Sequence, residues 1–68
     1  MTTVVKVIEL IGESEESWEK AAENALKKAD ETIRNIVGLD VDHFTAKVDG
    51  GKIVAYRANV KVAFEYEG

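Results

Sequence analysis

Residues Val4–Ile11 are β-branched or aliphatic apart from Lys6 and Glu9, a pattern that predicts a first strand over residues 3–11. Gly12 interrupts it. Ser14 then offers a hydroxyl to the open N–H groups of a helix start, and Glu13, Glu15 and Glu16 place negative charge at the positive end of its dipole. Trp18, Ala21, Ala22, Ala25, Leu26, Ala29, Ile33 and Ile36 recur every three or four residues, which predicts one amphipathic helix of about 20 residues. Its four alanines allow close approach to a sheet, and Trp18, Leu26 and Ile33 are expected to fill the core. The opposite face is charged, from Glu19 and Lys20 through Lys27 and Lys28 to Arg34, and reads as solvated.

Gly38 is placed to end the helix, because glycine takes up the left-handed conformation common after a last turn. A second strand is expected over 39–48. Its apolar positions Leu39 and Val41 differ in parity from Phe44, Ala46 and Val48, which predicts a β-bulge at Asp42–His43. Asp49-Gly50-Gly51 is a tight hairpin signal, and nothing resembling a P-loop's Lys-Ser/Thr ending follows it. The last strand is the most regular element, with Val54, Tyr56, Ala58, Val60, Val62, Phe64 and Tyr66 on one face.

These elements give an α+β domain over 1–68 in the order β-α-β-β, a three-stranded antiparallel sheet on one helix. A last strand of some 14 residues would span roughly 45 Å, against about 30 Å for a 20-residue helix. One helix leaves part of that sheet bare. A 68-residue chain buries only about 60% of its unfolded surface, and this one has no Cys and a single His, so disulfide or zinc-finger support is absent. Self-association is therefore expected, around a monomer whose radius of gyration should be near 11 Å.

Charge and hydropathy narrow the function classes. A net charge of −4 with no Lys/Arg cluster disfavours nucleic acid. No run of apolar residues reaches the roughly 20 needed to span a bilayer, and Met1-Thr2-Thr3 lacks the plan of a signal peptide, so a cytoplasmic protein without membrane contact is expected. No nucleophile stands in a recognisable triad pattern, and no enzymatic activity is expected. His43, between Asp40 and Asp42, is either an exposed strand residue or a ligand in a site shared by copies. Glu13, Glu15 and Glu16 are helix-capping residues or, if copies converge, oxygen ligands for calcium or magnesium.

The text Lys6-Val7-Ile8-Glu9-Leu10-Ile11-Gly12-Glu13-Ser14, Ser17-Trp18-Glu19-Lys20-Ala21-Ala22, Thr32-Ile33-Arg34-Asn35-Ile36, Asp49-Gly50-Gly51-Lys52, Ala55-Tyr56-Arg57 and Val60-Lys61-Val62-Ala63-Phe64 resembles the dodecin family over nearly the whole chain. That resemblance implies a hollow homododecameric shell that stores or sequesters flavins such as riboflavin or FMN. In the family a Trp just after the helix stacks on the flavin and a Gln in the last strand fixes it. Gly38 stands at the Trp position here and Arg57 at the Gln position. Arg57, which alternates with Asn59 and Lys61, is expected to pair with a carboxylate or to hold a ring or phosphate. The implied alternative is a flavin-free shell that binds metal ions such as calcium.

Overall fold

The computed structural model describes residues 4–66. The expected β-α-β-β order is present: β1 (Val5–Ser14), α1 (Trp18–Asp30), β2 (Ile36–Asp49) and β3 (Lys52–Glu65). The sheet is antiparallel with order β1-β3-β2, so the most regular strand lies in its centre. Side chains alternate across a strand. Ala58, Val60 and Val62 therefore face the helix and are buried against Ala21, Ala22, Ala25 and Ala29, with Ile8, Leu10, Ile33, Ile36 and Val41 around them.

Several boundaries differ from the sequence reading. The expected start of the first strand, residue 3, lies outside the described residues. At its other end β1 runs on through Gly12 to Ser14, because Gly12 pairs with Ala58 and is needed there for contact with the helix. Ser14 is therefore no helix cap; its Oγ accepts from the Glu16 N–H at 3.0 Å in the connecting turn. Ser17 is the cap instead, in extended conformation, with Oγ accepting the Lys20 N–H at 3.0 Å.

The helix is shorter than expected, at 13 residues. Ile33 and Ile36 keep helical spacing but belong to the β-branched segment Thr32-Ile33 and Ile36-Val37, which favours extended chain. The turn out of α1 uses Asn35 at φ 62° rather than a glycine. Gly38 thus does not end a helix; it sits inside β2 opposite Ala63. The expected bulge is present, as a register shift between Val41 and His43, and further shifts occur at Ile36/Gly38 and Lys47/Val48. Gly50 and Gly51 both have positive φ in the hairpin, as the sequence predicts.

A helix of 13 residues is about 20 Å long, whereas the molecule extends 54 Å and its radius of gyration is 14.0 Å rather than the expected 11 Å. The excess length is the β2–β3 arm beyond the helix. Phe44, Val48, Ile53 and Val54 are exposed there.

Trp18 sits at the root of the arm, outside the core. It is 39% exposed, because the alanine-lined approach of helix to sheet leaves no volume for an indole between them. The ring lies across the sheet instead, edge-on to Tyr56 at 4.8 Å and to Phe44 at 6.1 Å between centroids, and its Nε1–H donates to the Thr45 carbonyl at 2.8 Å. Trp18→Ala should accordingly cost about 2 kcal/mol in thermal or urea unfolding, from one hydrogen bond and partial ring burial. A loss of 4 kcal/mol would instead indicate a core anchor.

Candidate functional site

The sheet face turned away from the helix is polar, and the register assigns its rows. Glu13, Arg57 and Thr45 stand abreast across β1, β3 and β2; Ile11, Asn59 and His43 form the next row, and Glu9, Lys61 and Asp40 the one after. Beyond them Val7, Ala63 and Gly38 form an uncharged row in which only Val7 carries a side chain larger than a methyl group.

Arg57 is held by an ion pair, the first of the outcomes expected for it. Its Nε donates to Glu13 Oε1 at 2.8 Å, and both side chains are about half exposed. The hydrogen bond from Arg57 holds the Glu13 carboxyl below its ordinary value against the upward push of desolvation, with the positive charges of Arg57 and then Lys47 acting in the same direction as the hydrogen bond. Glu13 is therefore a strand residue with a cationic partner, not a helix-capping one. A carboxyl depressed on folding stabilises the native state above its unfolded value, and that contribution disappears as pH falls through the lower folded value. Glu13→Gln should cost a little stability at pH 7, within the range of an exposed ion pair, and the difference from wild type should vanish as pH falls below about 4.5. Urea titrations at both pH values check this.

Asp42 occupies the extra position of the bulge, and its carboxylate meets Lys61 Nζ at 3.4 Å. His43 is exposed and lines a recess of about 440 Å³ with Glu9, Leu10, Ile11, Asp42, Asn59 and Val60. Among the described residues no three His, Cys, Asp or Glu side chains converge in a way that could hold a metal ion. Glu15 and Glu16, on the turn before the helix, are exposed.

Gly38 and Arg57 are not brought together within one subunit. Six residues separate Arg57 from Ala63, the partner of Gly38, which is roughly 20 Å of strand. Both positions lie on the same face of the sheet. Space over Gly38 is open: a Cβ there would meet only the Ala63 Cβ, at 3.6 Å. Among the described residues no ring comes within 4 Å of that Cβ position. The Lys47 contribution was missed by sequence reasoning; its signal was there in the alternation Thr45–Lys47 opposite Arg57–Ala55, once the bulge fixes which face each residue takes.

No helix of the described residues is long and apolar enough to cross a membrane. Comparison with known proteins gives a consistent answer for the fold and its relatives. The chain is 35% identical over 63 residues to the calcium dodecin of Mycobacterium tuberculosis, covering 93% of this chain and 89% of that one. A crystal structure of that protein, described as calcium chelating with a calcium-binding site, superposes with a TM-score of 0.83 at 38% identity over 94% of this chain and 91% of the other. Identity to the dodecin of Thermus thermophilus is 31% over 67 residues, 98% of this chain and 97% of that one. A crystal structure of a Thermus dodecin variant superposes with a TM-score of 0.92 at 30% identity, over 98% of this chain and 100% of its own. With these superpositions, and with the Dodecin family model matching residues 4–67, this chain belongs to the dodecin family.

Proposed function

We propose that the chain, a single domain over 1–68, is the non-enzymatic subunit of a closed homododecameric shell that sequesters a small ligand of the flavin type, riboflavin or FMN. The observation that carries this reading is the bare apolar arm. Phe44, Val48, Ile53 and Val54 are 43–63% exposed on a sheet far longer than its helix, and burying apolar surface in a second copy yields about 25 cal/mol per Å². Closed symmetry satisfies every such surface at once, which an open chain of copies does not. The separation of Gly38 from Arg57 supports a ligand held between subunits.

Open space at Gly38 and the engagement of Arg57 by Glu13 make that flavin site a weak one. Neither position supplies the stacking ring that aromatic ligands favour. Native mass measurement at micromolar concentration should give a particle of twelve 7.5 kDa chains, about 90 kDa, and its absorption spectrum as purified should show at most partial flavin loading. A stable folded monomer would overturn the shell.

A second reading has its own support, a shell that binds calcium or magnesium. The Mycobacterium relative is named for calcium, and Glu15 and Glu16 are exposed carboxylates that symmetry would repeat. Since no cation cluster exists within the described residues of one subunit, such a site also spans copies. Metal analysis of the purified shell, and a fall in melting temperature on adding a chelator, distinguish it from the flavin reading.

A further inference from the structure

At the tip of the arm the chain turns through Asp49-Gly50-Gly51-Lys52, and all of these residues are exposed. Asp49 and Lys52 are the last pair of the ladder, so Gly50 and Gly51 alone make the turn. Their φ angles are 58° and 76°, and a Cβ built on either would meet nothing within 4 Å. Among the described residues the Asp49 carboxylate enters no ion pair or hydrogen bond, and the Gly50 N–H has no acceptor. No other Asp or Asn in the sequence precedes a glycine: Asp30, Asp40 and Asp42 are followed by Glu31, Val41 and His43. Asp42 is in addition tied to Lys61.

We infer that Asp49 is a site of spontaneous modification, where the main chain is rerouted through the side chain to an isoaspartyl linkage with water as the only co-reactant. The Gly50 main-chain nitrogen attacks Cγ of the Asp49 carboxyl in its neutral form. The new N–Cγ bond closes a five-membered imide, and the carboxyl hydroxyl leaves with the Gly50 amide proton as water. Water then adds back to the ring. Opening at the N–Cγ bond restores aspartate, whereas opening between the nitrogen and the Asp49 main-chain carbonyl carbon leaves the chain running through Cβ and Cγ and frees that carbonyl as a carboxylate. One water leaves and one returns, so mass and charge are unchanged. The reacting groups belong to adjacent residues, which makes the attack intramolecular. Gly50 has no Cβ to crowd its nitrogen, and the tip is exposed, where the backbone rotation that closes the ring meets least resistance. The linkage adds one main-chain atom to a two-residue turn matched to the twist of its strands, so the Asp49–Lys52 and Val48–Ile53 pairs at the tip loosen. The inference goes beyond the shell reading and does not depend on it.

The test holds the folded full chain for weeks in oxygen-18 water near neutral pH, beside a urea-unfolded sample and beside Asp49→Glu, whose longer side chain would have to close a six-membered ring. Cleavage after Lys47 and Lys52 releases residues 48–52 as one peptide. Chromatography with mass detection should show a second form of that peptide, of the same composition and carrying one oxygen-18. It should arise at least about tenfold faster than any isomer at Asp30, Asp40 or Asp42, because only Asp49 has an unhindered nitrogen within reach of its own carboxyl, and it should be absent from Asp49→Glu. Amide hydrogen exchange over residues 48–53 should rise in proportion to the converted fraction. Conversion confined to the unfolded sample, equal rates at the other aspartates, or an oxygen-18 isomer that persists in Asp49→Glu would overturn the inference, and exchange that does not change with conversion would overturn the loosening of the tip.

Discussion

Gly12→Ala should destabilise the subunit by about 3 kcal/mol or more, the upper end of what overpacking costs. A Cβ at this position would drive into the main-chain carbonyl oxygen of Ala21 and come within 2.9 Å of the Ala25 Cβ. The obstacle is helix backbone, which cannot move aside as the end of a flexible side chain can. Helix and sheet would have to separate along the line where Ala21, Ala25 and Ala58 meet, and these residues are almost wholly buried. With so small a core, that shift reaches every remaining contact. Gly38→Ala provides the control, since its new methyl would make only ordinary contact with the Ala63 Cβ at 3.6 Å; its effect should stay within about 0.5 kcal/mol. Urea unfolding of both variants is the measurement, and equal effects at the two glycines would show that the close approach at Gly12 is not what limits the packing.

Gly38→Trp should raise flavin affinity by at least about a hundredfold, some 3 kcal/mol. An indole buries roughly 150–250 Å² and gains about 0.5–1.5 kcal/mol more from ring geometry. Position 38 accepts a side chain: it pairs with Ala63 just past the register shift at Ile36/Gly38, its φ is not positive, and a Cβ there would make only ordinary contact with the Ala63 Cβ at 3.6 Å. The row Val7, Ala63 and Gly38 provides uncharged surface against which the new ring would lie. In a symmetric assembly one substitution adds a ring to every site that copies share. Flavin fluorescence quenching with wild type and variant measures the gain. Tight quenching by the wild type, or no gain in a correctly assembled variant, would count against position 38 as the stacking position.

Much of the architecture was legible because it follows from alternation and turn chemistry. The last strand has one unbroken apolar face, Asp49-Gly50-Gly51 specifies a tight turn, and the parity change at Asp42–His43 marks a bulge that the register confirms. The helix was legible in kind and too long in extent. Ile33 and Ile36 sit at helical spacing whether or not the chain is helical, and periodicity alone does not reveal that Asn35 turns left-handed between them. The N-cap went to Ser14 instead of Ser17 for a similar reason: two serines three residues apart both precede acidic residues, and only pairing of β1 with β3 through Ser14 decides between them.

Trp18 shows where composition misleads. A lone tryptophan on an apolar stripe is expected inside, but four alanines and Gly12 bring helix and sheet too close for it. The ring is displaced to the base of the arm, where it finds Tyr56, Phe44 and the Thr45 carbonyl.

The sequence by itself determined the order of elements, the antiparallel hairpin, the bulge and the shortage of core that calls for other copies. All of these depend on contacts between neighbours in the chain or on the ratio of strand to helix length. Tertiary structure alone decided which residues meet on the polar face. Glu13 and Arg57 are 44 residues apart in the chain and reach hydrogen-bond distance only because β1 and β3 pair in one register. A slip of one residue would send each to the opposite side of the sheet. The same register places Gly38 and Arg57 on one face yet far apart within a subunit, since a strand's rise per residue is fixed and pairing leaves no freedom to fold that distance away.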